Sequence, residues 1–112
     1  MSTDVRLGKT MPDRVILYWR DIPAQVTATD GPAAVRVALP DRFQEAIDDA
    51  AMTAGLVDSD DYLAEWRRET RECGPDLARE VDAEAANLEA KFTEDELERV
   101  AGFGGHDEPA PS

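Results

Sequence analysis

The sequence predicts an α+β fold: a three-stranded antiparallel β-meander followed by three to four α-helices that pack mainly on one face of the sheet. Up to Pro40 the apolar residues form short β-branched or alternating runs, which are typical of strands. After Pro40 they recur about every 3.6 residues, which is typical of helices. The 112 residues suffice for one core. We therefore expect a flexible lead-in over residues 1–12, a single α+β domain over residues 13–101 and a disordered tail over residues 102–112.

The three predicted strands are separated by turn signals. Arg14 to Trp19 is a β-branched and aromatic run, apolar on both faces, as in a central strand. Asp21-Ile22-Pro23 interrupts it, because proline cannot donate to a ladder. Ala24 to Thr29 alternates small apolar and polar side chains, and Asp30-Gly31-Pro32 predicts a second turn. The third strand has three inward side chains, Val35, Val37 and Leu39.

Two helices are predicted between Pro40 and Gly74. The first has an apolar stripe and a glycine at its C-terminal end: Phe43, Ala46, Ile47, Ala50, Ala54 and Gly55. Ser59 is expected to cap the second, with Asp60 and Asp61 in its first turn, where the helix dipole favours negative charge. The inward stripe expected for the second helix is Tyr62, Leu63, Trp66, Thr70 and Cys73.

Two further helices are predicted before the tail. Pro75 is expected at the first position of the third helix, where its missing N–H is harmless. The apolar stripe of that helix is Leu77, Val81, Ala85, Leu88 and Phe92. Thr93 and Glu96 have the spacing of a capping box and predict a short last helix around Leu97 to Ala101.

The net charge of −13 is unevenly distributed. Residues 1–40 hold five Lys/Arg and four Asp/Glu, a balance of +1, whereas residues 41–112 hold seven and twenty-one, a balance of −14. An acidic field repels phosphate backbones and anionic lipid surfaces and attracts cationic partners. We therefore expect a protein partner, and neither nucleic acid nor a membrane. The alternative is that the acidic helices only present well-solvated faces.

The sequence gives no sign of export. Its single cysteine, Cys73, cannot form an internal disulfide, and no signal-peptide pattern opens the chain. No apolar run approaches the roughly 20 residues that cross a bilayer. We expect a cytoplasmic protein.

The residues needed for catalysis or metal binding are not grouped in the sequence. The only histidine, His106, lies in the predicted tail, and Cys73 falls on an apolar stripe with no thiol or imidazole nearby. The glycines at 102–105 follow a helix instead of a strand, so they do not form a phosphate loop. We predict no catalytic set, no metal site and no cofactor.

The candidate binding residues surround the end of the first strand: Tyr18, Trp19, Arg20, Asp21, Gln25 and Arg42. Neighbouring strand residues point to opposite faces, so Tyr18 and Trp19 cannot both enter a one-sided core. An exposed ring beside Arg20 would be a good binding anchor, because Trp, Tyr and Arg dominate interface hot spots. In the alternative, Trp19 packs under the third helix while Arg20 and Asp21 pair locally to hold the turn.

A second cluster of positive charge leaves two interpretations open. Its residues are Arg67, Arg68 and Arg71. They either hold an anion or pair along the second helix with Glu65, Glu69 and Glu72.

Two stretches resemble a small bacterial family that carries the label "virulence factor" domain. They run from Ile16 to Val26, including Tyr-Trp-Arg-Asp-Ile-Pro-Ala-Gln at residues 18–25, and from Leu39 to Asp48. The resemblance covers residues 13–57, and the label itself names no biochemical activity. Stand-alone members of that family often lie beside genes for folate and corrinoid methyl transfer. The resemblance therefore implies an accessory role in one-carbon metabolism.

These observations predict a non-catalytic protein-binding accessory subunit or adaptor of a larger bacterial enzyme. One alternative is a small enzyme or carrier that binds an anionic or folate-like ligand through Tyr18, Arg20, Asp21, Gln25 and Arg42. Another is a structural protein that associates with copies of itself.

Overall fold

A computed structural model describes residues 11–57 and 59–107, which form one antiparallel sheet and four helices. The elements are β1 (Asp13–Trp19), β2 (Ile22–Asp30), β3 (Ala33–Ala38), α1 (Asp41–Ala54), α2 (Asp60–Ala64), β4 (Trp66–Glu72), α3 (Leu77–Lys91) and α4 (Glu94–Gly102). The strand order is β3-β2-β1-β4. The α+β class and the meander of the first three strands are confirmed. Residues 1–10 of the expected lead-in lie outside the described residues.

Residues 66–72 form a fourth strand, where the sequence had predicted the second half of a helix. Helix α2 ends at Ala64, and β4 then runs antiparallel to β1, with Trp66 opposite Trp19 and Glu72 opposite Asp13. The inward helical stripe through Trp66, Thr70 and Cys73 is therefore wrong. The physical reason is the free edge of β1, whose backbone N–H and C=O groups need partners that helix propensity cannot supply.

The main part of the core lies on one face of the sheet, whereas Trp19, which alternates with Tyr18 along β1, is buried at one end of the other face. Ile16, Val26 and Ala28 point to the face that α3 covers and are buried, whereas Val15 and Leu17 on the opposite face are only half-buried. Helix α1 packs against α4, and the Phe43 ring meets the Phe92 ring edge-on at 6.1 Å between centroids. None of the helices in the described part of the chain is long and apolar enough to span a membrane.

Of the four predicted helix-end signals, Gly55 and Thr93 act as expected, Ser59 lies at the N-cap of α2 without a side-chain capping hydrogen bond, and Pro75 does not open its helix. Gly55 closes α1 in the left-handed conformation, at φ 74°. The Thr93 hydroxyl accepts a hydrogen bond from the Glu96 N–H at 3.2 Å and so caps α4. Pro75, in contrast, does not open α3: the N-cap is Asp76, whose carboxylate accepts from the Arg79 N–H at 3.2 Å.

The chain beyond α4 turns back onto the turn between β1 and β2. The carbonyl oxygen of Gly105 accepts a hydrogen bond from the Asp21 N–H at 2.8 Å, and the Asp107 N–H donates to the Asp21 carboxylate at 2.8 Å. Gly104 and Gly105 are buried, at φ 73° and 99°. A disordered tail had been predicted from Gly102, but residues 103–107, here named the C-terminal return, are bound to the sheet. Residues 108–112 lie outside the described residues.

Candidate functional site

Trp19 joins the first hairpin to α2 and to the C-terminal return. Its side chain is 0% exposed, and its indole N–H donates to the Tyr62 carbonyl oxygen at 2.9 Å. The Tyr62 ring lies 5.5 Å from the Trp19 ring and 6.3 Å from the Trp66 ring, centroid to centroid. The helix that holds Trp19 is therefore α2, whereas one interpretation of the sequence had placed it under the third helix.

Arg20 occupies a strained backbone position and holds two distant segments. At φ 53° it is the one non-glycine residue with positive φ in the described chain, and a left-handed residue costs about 1–2 kcal/mol. Its guanidinium lies 3.3 Å from the Glu65 carboxylate, donates to the Gly104 carbonyl oxygen at 2.9 Å and stacks 5.2 Å from the Trp19 ring centroid. These contacts to Glu65 between α2 and β4, to Gly104 in the C-terminal return and to Trp19 offset the strain.

Asp21 binds other partners than Arg20, so the predicted local pair at the turn is replaced by two separate anchors. One carboxylate oxygen accepts from the Asp107 N–H, and the other lies 3.5 Å from the Arg67 guanidinium on β4. The turn between β1 and β2 is thus tied to α2, to β4 and to the C-terminal return. We name Trp19, Arg20 and Asp21 the turn hub.

A charged cleft of about 640 Å³ opens between β1, β4 and α3. The cations along it are Arg14, Arg67, Arg71 and Lys91, and the anions are Asp21, Glu69, Glu84 and Asp107. Arg14 pairs with Glu84, and Arg67 with Glu69. Within the described residues, Arg71 and Lys91 have no ion pair. Each interpretation of the arginine cluster therefore fits one residue. Arg67 pairs with Glu69 along a strand instead of a helix, while Arg71, unpaired within the described residues, can meet an anion.

Tyr18 forms part of the floor of the charged cleft. The Arg67 guanidinium lies over its ring at 4.5 Å from the centroid, and its hydroxyl has no hydrogen bond within the described residues. Burial raises the pKa of the Tyr18 phenol, and the nearby Glu69 carboxylate raises it further. The hydroxyl is thus protonated at neutral pH and can donate a hydrogen bond to a ligand.

The six predicted binding residues do not meet in one patch. Tyr18 and Asp21 line the charged cleft, and Trp19 and Arg20 bind α2 and the C-terminal return. Gln25 pairs with Leu17 on β1, so it lies on the face opposite Tyr18. Arg42 donates to the carbonyl oxygens of Phe92 and Glu89, at 3.3 and 3.1 Å, and so caps the C-terminal end of α3.

An apolar groove of about 510 Å³, absent from the predictions, lies between the end of α1 and α2. It is lined by Asp48, Ala51, Met52, Val57, Ser59, Asp60, Tyr62 and Leu63. Met52 is 68% exposed, Leu63 67% and Val57 49%. Leu63 had been assigned to a buried stripe, which is wrong. Met52 falls outside the buried stripe of α1, and that mismatch was the available sequence signal.

Two residues of the turn hub, Trp19 and Arg20, hold in place the α2 side of the apolar groove. Tyr62 lines the groove, and its carbonyl oxygen and ring are both held by Trp19. Glu65, just after α2, is fixed by the Arg20 side chain and accepts from the Arg20 N–H at 3.1 Å. Helix α2 has only five residues and no buried side chain of its own. Its position therefore depends on Trp19 and Arg20.

The described residues contain no group of three or more His, Cys, Asp and Glu side chains arranged to hold a metal ion. Cys73 is buried, and burial raises the pKa of its thiol. A thiol in that state is a poor nucleophile.

A family model described as "Virulence factor" matches residues 17–101, which confirms the family resemblance and extends it from residue 57 to residue 101. No curated protein and no solved structure matches this chain.

Proposed function

Since the chain belongs to the virulence factor family, we propose that it is a non-catalytic protein-binding accessory subunit or adaptor of a larger bacterial enzyme. The apolar groove is the proposed docking site. The family label names no activity, so the proposal depends on the surface of this chain.

The observation that carries the proposal is the clustering of large exposed apolar side chains. Single exposed apolar residues are ordinary on protein surfaces, but contiguous patches mark interaction sites. Met52, Val57 and Leu63 line one groove, in a chain of which 33% is charged. Tyr62 adds an aromatic wall, and interface hot spots are rich in such rings.

Charge defines the chemistry of the partner. Asp48 and Asp60 border the apolar groove, and residues 41–112 carry a balance of −14. A partner segment that complements this surface presents an apolar anchor flanked by Lys or Arg. The neighbourhood implied by the family resemblance, folate and corrinoid methyl transfer, is where we propose to seek the enzyme that carries such a segment.

Leu63→Asp tests the docking site. Because Leu63 is exposed, its replacement should leave the thermal midpoint nearly unchanged, while a charge in the apolar groove weakens partner binding at least about tenfold. The tagged full chain is used to capture proteins from native lysate, and affinity for a stoichiometric partner is then measured by titration.

The matched control is Met11→Asp, which changes an exposed apolar side chain that does not line the groove. It should bind like the wild type. Absence of any stoichiometric partner, or equal binding by the Leu63→Asp and Met11→Asp variants, would refute the proposal.

The charged cleft favours a second candidate function, the binding of a small anionic or folate-like ligand. Its supporting observations are the unpaired Arg71 and the Tyr18 hydroxyl, which face the same open space. A specific ligand in excess raises the melting temperature, because it binds the folded state alone.

Thermal-shift measurements against folates, corrinoids and dicarboxylates check this second function. We expect a rise of several degrees with one ligand class at about 100 times its Kd. The variant Arg71→Gln should lose the shift, and Arg68→Gln, on the opposite face of β4, should keep it. A flat response to all three classes would leave the cleft without this role.

A further inference from the structure

Strand β3 forms one edge of the sheet, and its outer backbone groups have no partner among the described residues. It pairs with β2 along one side only. Leu39, just beyond β3, donates its N–H to the Ala24 carbonyl oxygen at 3.0 Å. Because hydrogen-bonding directions alternate along a strand, Val35 and Val37 also point their backbone groups at β2. Ala34, Arg36 and Ala38 therefore point theirs outward.

The two edges of this sheet differ sharply in charge. Five of the seven residues of β4 are charged, which is how natural sheets discourage edge pairing. Only one of the six residues of β3, Arg36, is charged. An edge of this length with a single charge is a template for another strand.

The side chains of β3 are also incompletely covered within one molecule. Val35 and Val37 face the core but are only half-buried, because no strand or helix covers them from the outer side in the described part of the chain. A neighbouring strand with the same residues would complete their burial. Burial of this apolar area and the backbone hydrogen bonds would both stabilise the contact between the two strands.

Charge distribution favours a second copy as the source of the neighbouring strand. Two molecules of net charge −13 repel each other, but the acidic excess lies in residues 41–112, and residues 1–40 carry +1. The β3 edge belongs to this nearly neutral part. Two copies that meet at β3 bring together strands from the least acidic part of the sequence, and moderate salt reduces the remaining repulsion from α3.

We propose that two copies of this chain pair antiparallel through β3, so that two four-stranded sheets become one continuous sheet of eight strands. A two-fold axis at Val35 places Ala34 directly opposite Arg36 of the second copy, and the outward N–H and C=O groups of these two residues exchange hydrogen bonds. An axis at Arg36 would instead oppose two like charges. The inference is independent of the proposed function.

Sedimentation equilibrium of the full chain at about 150 mM salt tests the pairing. A single strand edge predicts a weak dimer, so loading should span about 10 to 500 μM. The apparent mass should rise with concentration from 12.3 kDa toward twice that value. A mass that stays at 12.3 kDa throughout would overturn the proposal.

A pair of charge variants tests the register. Ala34 is exposed, so Ala34→Lys and Ala34→Glu should leave the monomer equally stable. In the dimer, Ala34→Lys opposes Arg36 twice with like charge, whereas Ala34→Glu opposes it twice with opposite charge. We expect dimer Kd values about tenfold apart, weaker for Ala34→Lys.

Two outcomes besides a monomer would contradict pairing through β3. Equal Kd values for the two Ala34 variants would show that the contact lies elsewhere. Loss of the dimer in Leu63→Asp, which is distant in sequence and lines the apolar groove, would assign self-association to that groove. A dimer that persists in Leu63→Asp and responds to Ala34 supports the edge contact.

Discussion

Replacement of Trp19 by alanine is expected to lower the free energy of unfolding by about 3–5 kcal/mol, a large part of the 5–15 kcal/mol that stabilises a typical domain. The indole is completely buried, and its N–H satisfies the carbonyl of Tyr62. Alanine would leave a cavity at the point where β1, α2 and the C-terminal return meet. Both the transfer of the ring and the empty volume contribute to the loss.

Urea denaturation followed by circular dichroism measures this loss. The matched control is Trp66→Ala, because Trp66 lies directly opposite Trp19 on β4 but is only half-buried. Its replacement should cost clearly less, about 1–2 kcal/mol. If Trp66→Ala proved as destabilising as Trp19→Ala, the hub would not be centred on Trp19.

Gly105→Ala is expected to cost about 2–4 kcal/mol, although it adds a single methyl group. A Cβ at this position would lie 2.8 Å from Cζ3 and 3.2 Å from Cε3 of Trp19. The backbone there has φ 99°, a conformation that residues other than glycine rarely adopt. The ring is buried on all sides, so it cannot move away, and the C-terminal return has to shift instead.

Gly102→Ala provides the control for Gly105→Ala. A Cβ at Gly102 meets nothing within 4 Å, and the residue ends α4 without a positive φ. Its replacement should be neutral or stabilise by up to about 1 kcal/mol. Thermal and urea unfolding of both variants separate the two cases. Equal stability of the two variants would mean that residues 103–107 do not pack on Trp19.

Local periodicity predicts most of this fold. The alternation in β2 and β3 and the apolar stripes of α1, α3 and α4 each depend on residues a few positions apart. Strand β4 has no comparable apolar alternation, because five of its seven residues are charged and all seven are half-buried or exposed. It is a strand because β1, distant in sequence, has an edge to pair. Pairing of this kind is decided by tertiary structure.

The sequence singled out the residues of the turn hub but gave neither their roles nor the apolar groove. The sequence singles out Trp19, Arg20 and Asp21, yet their partners Tyr62, Gly104 and Asp107 lie more than forty positions away. The glycine-rich residues 102–105 were predicted to be disordered. Position 105, however, requires glycine, because the indole of Trp19 occupies the space where a Cβ would lie. No local pattern distinguishes these two uses of glycine.

The C-terminal return also has a thermodynamic consequence for docking. Trp19 contacts Tyr62 on one side and Gly105 on the other, so fraying of residues 103–107 loosens the same indole that holds α2. A protein that docked on Tyr62, as proposed, would select the closed arrangement and lower the population in which this end is detached. Two measurements would therefore report on a single equilibrium. One is the resistance of residues 103–107 to proteases, and the other is the affinity of a partner protein for α2.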